Sequence, residues 1–288
     1  MKKPLIVTDS CCDLPLDLVK DYDIPIIKLS FSFKGKNHTD DFGQSIGYKE
    51  FYDEVRGGEV PTTSQINTYD FEQFFAPYLE KGEDIIYISF SSALSGTCQS
   101  AMIAKETLNE KYPQGNLTVV DSKCASMGQG LLVYLAYKQL EQGKTKDEIV
   151  AWLEDNKMRL NHWFTVSDLN HLKRGGRVSA ASATVGTLLS IKPILHVDNE
   201  GRLVPKTKVK GRKKSIKSLC NYLQENISEE NQTVFISHGD CEDEANKLAE
   251  LIKDVYKPKE IILNYIGPVI GSHSGPGTIA LFFMGEER

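Results

Sequence analysis

The stretch DIIYISFSSALSGTCQSAMIA, residues 84–104, decides how the chain is read. An apolar run stops at Phe90. Small or hydroxyl-bearing residues follow almost without a break: Ser91, Ser92, Ala93, Ser95, Gly96, Thr97, Cys98 and Ser100. The run reads as a buried strand, and the segment from about Ser95 to Glu110 reads as a helix. The hydroxyls therefore fall on the turn between them. Free N–H groups and the helix dipole favour an anion there. Gly96 allows a ligand close to the backbone, and Ser95 and Thr97 add donors. The same residues would also serve as ordinary helix caps, and the segment alone leaves both readings open.

Outward from this unit the first half alternates strand and helix. PLIV and IPIIKLSFSF read as strands. DLPLDLVKDY reads as a short helix with Asp13 as its N-cap. YKEFYDEVRGG and TYDFEQFFAPYLEKG read as helices, then come the strand LTVVD and two helices, MGQGLLVYLAYKQLEQG and TKDEIVAWLEDNKMRL. Strands separated by helices imply βαβ crossovers and a mainly parallel sheet. After about residue 160 the pattern changes. NHWFTVSDL, GRLVPKTKVK, TVFISHG, IILNYIG and TIALFFM read as strands of a second, mixed sheet. SIKSLCNYLQEN and CEDEANKLAELIKDVY read as amphipathic helices, with Asp240 and Asp243 at capping positions of the second. SAASATVGTLLSIKPIL reads as a small-residue helix running into an extended segment. The expectation is an α/β protein of two domains, residues 1–160 and 161–288, with a ligand cleft between them.

The bulk numbers agree with this class. The chain has 288 residues, 40% hydrophobic and 25% charged, with room for a substantial core. No apolar stretch approaches the roughly 18 residues that span a bilayer, and the four-residue apolar core of MKKPLIVTDS is too short for a signal peptide. The expected location is cytoplasmic. The six cysteines show no CxxC or Cys/His spacing, so they read as reduced thiols with no zinc site. A net charge of −5 argues against general nucleic-acid binding, although seven basic residues crowd between Lys206 and Lys217 and three more lie in HLKRGGR.

In an open α/β sheet the ligand side lies beyond the carboxyl ends of the strands. Polar residues there include Thr8, Asp9, Ser10, Asp121 and Ser122. Thr62, Thr63 and Ser64 of VPTTSQ sit in a loop before a helix, as caps or as donors. In GPVIGSHSGPGT, His273 lies in a glycine-rich loop between two serines, where an imidazole could donate to a carboxylate, act as a base, or be structural. Neither GxGxxG after a strand nor a P-loop is present, and ALSGT is not a G-x-S-x-G elbow. NHTDD (His38, Asp40, Asp41) and SHGDCED (His238, Asp240, Asp243) read as polar loops and caps rather than metal sites.

Taken together, IVTDSCCDLP, VPTTSQ, FSSALSGT, LKRGGR, KVKGRKK and GSHSGPGT, in this order and spacing along the whole chain, resemble the DegV family of bacterial lipid-binding proteins. Cys11 and Cys12 stand where small or hydroxyl residues are more usual. The resemblance implies two α/β domains with a long-chain fatty acid between them, its carboxylate at the junction and its acyl chain in the second domain. It implies head-group contacts from hydroxyls of Thr62, Thr63 or Ser64, from Ser95 with Gly96 and Thr97 beside it, and from His273. Lys210 aligns where an arginine is common and would supply charge without a planar fork. The resemblance further implies presentation of the bound acid to a separate kinase that forms an acyl phosphate for phospholipid synthesis. Arg174 and Arg177 of LKRGGR would lie on the docking surface. No cofactor beyond the fatty acid, no nucleic acid and at most transient membrane contact are expected. The rival reading is a serine-dependent acyl hydrolase using Ser95 and His273; a regulator binding nucleic acid through residues 206–217 is a weaker one.

Overall fold

The structure is a computed structural model that describes residues 3–179, 190–228 and 230–288. The small-residue helix expected in SAASATVGTLLS lies largely outside them; its extended continuation is described. Strands β1 (Leu5–Asp9), β2 (Ile26–Ile27), β6 (Asp84–Ser89) and β7 (Asn116–Asp121) form a parallel sheet in the order β2-β1-β6-β7. Strands β3 (Ser30–Phe33), β4 (Lys36–Thr39) and β5 (Thr62–Ser64) form a small antiparallel sheet beside it. Strands β8 (Leu160–Thr165), β9 (Ile191–Val197), β10 (Leu203–Lys210), β11 (Thr233–His238), β12 (Glu260–Tyr265) and β13 (Ile279–Met284) form a sheet ordered β10-β9-β8-β13-β11-β12. In it only β11 and β12 run parallel, so it is mixed.

The helices are α1 (Leu16–Asp21), α2 (Tyr48–Arg56), α3 (Thr68–Glu80), α4 (Thr97–Lys111), α5 (Met127–Glu141), α6 (Lys146–Asn156), α7 (Asn170–Arg174), α8 (Arg212–Asn226), α9 (Glu242–Val255) and α10 (Pro268–Ser274). Helix α5 explains how the two larger sheets share one core. From Met127 to Tyr137 every residue except Leu135 is buried, and the helix touches β1 and β6 on one side and β8, β11 and β13 on the other. A helix apolar all round has no solvent face to present. Gln129, buried in this run, donates through Nε2 to Thr8 Oγ1 at 2.9 Å and to the Ile88 carbonyl at 3.2 Å, while its Oε1 has no partner among the described residues.

Four local expectations change. IPIIKLSFSF is not one strand: Ile26–Ile27 joins the parallel sheet, whereas Ser30–Phe33 leaves for the small one. The break is fixed by Leu29, whose N–H donates to Ser10 Oγ at 3.0 Å while its carbonyl accepts from Asp40 N–H at 2.9 Å. Asp13 does not cap α1, which starts after Pro15; it is buried, with φ 49°, at the end of a 3₁₀ turn over Ser10–Cys12. Asp40 is buried rather than in a solvated loop. Asp240 does not cap α9, which follows Cys241; it has φ 53° and pairs with Arg56, and Asp243 sits in the first turn.

Helix α5 approaches the 3₁₀ turn closely at Gly130, where an added Cβ would stand 2.6 Å from the Cys12 carbonyl oxygen. Backbone cannot rotate away. Overpacking should cost about 1–3 kcal/mol against a gain of ~1 kcal/mol from alanine's helix propensity. Gly130→Ala should therefore lower the urea unfolding midpoint, and a raised midpoint would show that the turn yields.

Candidate functional site

Beyond the carboxyl ends of β1 and β6, a cavity of about 330 Å³ opens among the small sheet, α10 and the mixed sheet. Its size falls in the range of small-molecule sites. Its walls are mostly apolar: Leu29, Phe90 and Leu94 from the first half, and Phe164, Val197, Leu203, Ile270 and Phe282 from the second. Ala280 and Phe282 alternate along β13 and line it, as does Thr278 just before the strand. Alternate residues share one face of a strand, so the cavity follows β13 for roughly 7 Å at the usual strand rise. Opposite Phe282 and Ala280, β8 contributes His162 and Phe164. Burial pushes the His162 pKa well down, so this ring stands neutral in the wall.

Polar side chains also reach this cavity: Thr63, Ser64, Ser95, Arg177 and His273 line it. Thr63 comes from β5, which is a strand rather than the expected loop, and Ser64 follows it. His273 lies in α10, not in a loop; Pro268 at the first helical position presets the backbone. Val269, Ile270, His273 and Ser274 fall on one face of α10, and these four line the cavity together with Ile266 just before the helix. His273 Nε2 lies 2.8 Å from Thr63 Oγ1. Burial, and then the charge of Arg177, push the His273 pKa down to about 4, so the ring is neutral at physiological pH.

Arg177 reaches inward. Gly175 and Gly176 close α7 and reverse the chain, with φ 72° at Gly176. This turn leaves Arg174 exposed against His171 and brings Arg177 Nε to 3.2 Å from the Leu94 carbonyl. Gly175 also allows His273 in, because a Cβ there would stand 2.2 Å from Nδ1. Arg177 donates to two carbonyls, and among the described residues it makes no ion pair with a carboxylate. Burial lowers its pKa, yet a guanidinium remains charged in proteins. A cation with no anion among the described residues therefore faces the same cavity as the hydroxyls of Thr63, Ser64 and Ser95 and a neutral imidazole.

The remaining expected residues divide. Ser95 stands just outside α4, which begins at Thr97; its Oγ accepts from Thr97 N–H at 3.2 Å and meets Thr97 Oγ1 at 2.9 Å. Thr97 itself is buried and outside the cavity lining. Gly96 lines the cavity, but the space a Cβ would take belongs to Gln65, whose Oε1 would be 2.2 Å away. Thr62 is exposed and does not line it. Lys210 is exposed at the end of edge strand β10, also away from it. The neighbouring cation that folds inward is Arg212, which sequence reading passed over: it pairs with Glu244 at 2.8 Å and donates to the Gly277 carbonyl at 2.6 Å. Its signal was position, at the start of a helix that packs under the 275–278 turn.

The fold and cavity thus define an α/β protein with a long apolar pocket that also carries a cation and several hydroxyls. A model of the DegV family, described as an uncharacterised protein family, matches residues 3–286. A DegV domain-containing protein of Clostridium perfringens is 48% identical, covering 100% of this chain and 99% of the relative. Among solved structures, a DegV lipid binding protein from Thermotoga maritima superposes with a TM-score of 0.88 at 32% identity, covering 100% of both chains. A fatty-acid-binding DegV family protein from Thermus thermophilus gives 0.86 at 32%, covering 99% of this chain and 100% of that one. DegV of Bacillus subtilis, described as a fatty acid binding protein, gives 0.84 at 30% with the same coverage. The chain belongs to the DegV family.

No helix among the described residues is long and apolar enough to cross a membrane. The neutrality of His273 is directly measurable. Its ring resonances in ¹⁵N-¹H spectra should not titrate between about pH 5.5 and 8; a midpoint near 6.5 would contradict the burial argument.

Proposed function

We propose that the protein binds a long-chain fatty acid in this cavity without transforming it, and presents the carboxylate to a partner kinase for acyl-phosphate formation. The observation that carries this reading is the cavity itself: an apolar channel along β13, lined also by Arg177 with no carboxylate partner among the described residues, by Thr63 and Ser95, and by a neutral His273. The carboxylate sits at the junction of the two halves, which we take as domains meeting near residue 160. Solved DegV relatives from Thermotoga maritima, Thermus thermophilus and Bacillus subtilis, described as binding lipid or fatty acid, support the same ligand class.

The energetics suit an amphiphile. Each buried methylene contributes about 0.8 kcal/mol, and each hydrogen bond to a charged group about 1.5–3 kcal/mol. Ordering the chain and the loss of free translation offset much of this. The tail then supplies most of the affinity, and the head supplies orientation. Of the residues implied by family resemblance, Thr63, Ser64 and Ser95 have access to the head, whereas Thr62, Thr97 and Lys210 stand outside the cavity. Arg177 moves from the docking surface to the head group; Arg174, exposed on the same loop, remains the docking candidate, consistent with a cytoplasmic carrier serving phospholipid synthesis.

The hydrolase reading has less support. A serine nucleophile needs its base within hydrogen-bond reach. Here Ser95 Oγ is engaged by Thr97, and His273 Nε2 by Thr63. Among the described residues no hydrogen bond joins Ser95 to His273.

The test begins with the purified protein. Native mass spectrometry should show a bound lipid that organic solvent releases as a fatty acid. Ser95→Ala should weaken rebinding roughly tenfold or more, and Arg177→Ala at least as much. Arg174→Ala should bind normally while slowing phosphorylation by the kinase. Lipid-free protein with no saturable fatty-acid binding would sink the proposal, as would Ser95-dependent turnover of acyl esters.

A further inference from the structure

Helix α10 carries His273, and its first turn is held by two buried acids. Asp13 Oδ1 accepts the Gly267 N–H at 2.9 Å, and Asp40 Oδ2 accepts the Val269 N–H at 3.3 Å. Both side chains flank one atom: a Cβ on Gly267 would stand 2.8 Å from Asp13 Oδ1 and 2.9 Å from Asp40 Oδ2. The two oxygens therefore lie less than about 6 Å apart. Asp13 is 2% exposed and Asp40 1%.

The surroundings offer no counter-charge. Asp13 Oδ2 accepts from Ser126 O–H at 2.5 Å, and Ser126 meets Ser237 at 3.0 Å. Around the pair stand Asp9 on β1, Cys11 and Cys12 in the 3₁₀ turn, Asp41 after Asp40, and Tyr48 and Tyr52 of α2. All of these are acids or neutral groups. Among the described residues no lysine, arginine or histidine makes an ion pair with either carboxyl. Two buried carboxyls this close resist carrying two charges, so the pair tends to keep a proton. Burial raises both pKa values, Asp13 well above the usual carboxylate range and Asp40 to about 7; each also feels the other acids nearby.

We propose that Asp13 and Asp40 are positioning residues for the ligand head group: while the pair keeps a proton, they pin the first turn of α10 and so hold His273 against Thr63, and a second buried negative charge drives the two carboxyls apart and loosens the grip. The chain of contact is short. Both acids hold backbone N–H groups in the first turn, and His273 projects from the last turn of the same seven-residue helix. Ser126, bonded to Asp13, itself lines the cavity. The sign is fixed by the raised pKa values. The protonated pair fits the ligand-gripping state, so affinity is full in the ordinary carboxylate range, about pH 4, and is lost as pH rises from there to about 7. His273, with a pKa near 4, is already neutral over the upper part of that window.

This inference rests on the fatty-acid reading, and the experiment separates the two. Wild-type protein, Asp40→Asn and Asp13→Asn are titrated with stearic acid, below its aggregation concentration, at intervals from about pH 5 to 8. The wild type should lose at least threefold in affinity as pH rises to about 7 and level off above it, and Asp40→Asn, whose amide cannot ionise, should lose much less. A wild-type profile flat in pH, or the same slope in Asp40→Asn, overturns the positioning role. Absence of stearate binding at every pH overturns the fatty-acid reading instead. Carboxyl ¹³C spectra of aspartate-labelled wild type need no variant. A proton still held by the pair at about pH 6.5 supports the proposal, and two ionised carboxyls there overturn it.

Discussion

Thr63 and His273 stand 210 residues apart in the chain and 2.8 Å apart in space. That bond joins the small antiparallel sheet to α10 across one wall of the cavity. Its chemistry depends on burial. A protonated imidazole beside Arg177 would place two positive charges in a poorly solvated pocket, and desolvation and repulsion together prevent this. The ring is therefore a neutral hydrogen-bonding group. The fixed positive charge of the lining falls to Arg177 alone among the described residues. Such a site suits a single negative charge better than a multiply charged or neutral ligand.

The rest of the architecture positions these few groups. Helix α5 lies between the parallel and mixed sheets, and its glycines let it approach both: Gly130 against the 3₁₀ turn and Gly128 against His162. Asp9 ties the ends of β1 and β6 by accepting from Tyr87 O–H at 2.7 Å and Phe90 N–H at 3.1 Å. Phe90 and Leu94 are thereby presented to the cavity, and Ser95 follows at the head of α4. The turn that so many hydroxyls mark is thus both a cap and a wall. Ser95 caps Thr97 through its own oxygen while still facing the cavity, so the two readings of that stretch do not exclude each other.

The α/β class and the succession of strands and helices were legible because both rest on local periodicity. The switch near residue 160 from alternating strand and helix to a mixed sheet was visible for the same reason. The three-stranded sheet was not. SFSF alternates identically whether it continues the parallel sheet or leaves it, and the bonds that break it at Leu29 come from Ser10 and Asp40. Asp13 read as an N-cap and Asp40 as part of a polar loop because nothing local marks a carboxyl for burial; their partners, Gly267 and Val269, come from the far end of the chain. Arg177 was mistaken for a surface residue because three basic residues in one short loop look alike until Gly176 turns the third inward. His273 was read as lying in a loop because the glycines around it hid a helix. Lys210 illustrates the limit of positional resemblance: a neighbour two residues on, Arg212, is the cation that folds inward.

The central claim is one of orientation: the charged end of an acyl ligand among Thr63, Ser95, Arg177 and His273, and its hydrocarbon end beside Phe282. Crystals grown with a fatty acid brominated at its terminal carbon test this most directly, because bromine locates one end of the ligand by anomalous scattering. The account predicts a single bromine peak inside the cavity among Phe164, His162 and Phe282. A peak beside His273 and Ser95, or one outside the cavity altogether, would contradict it.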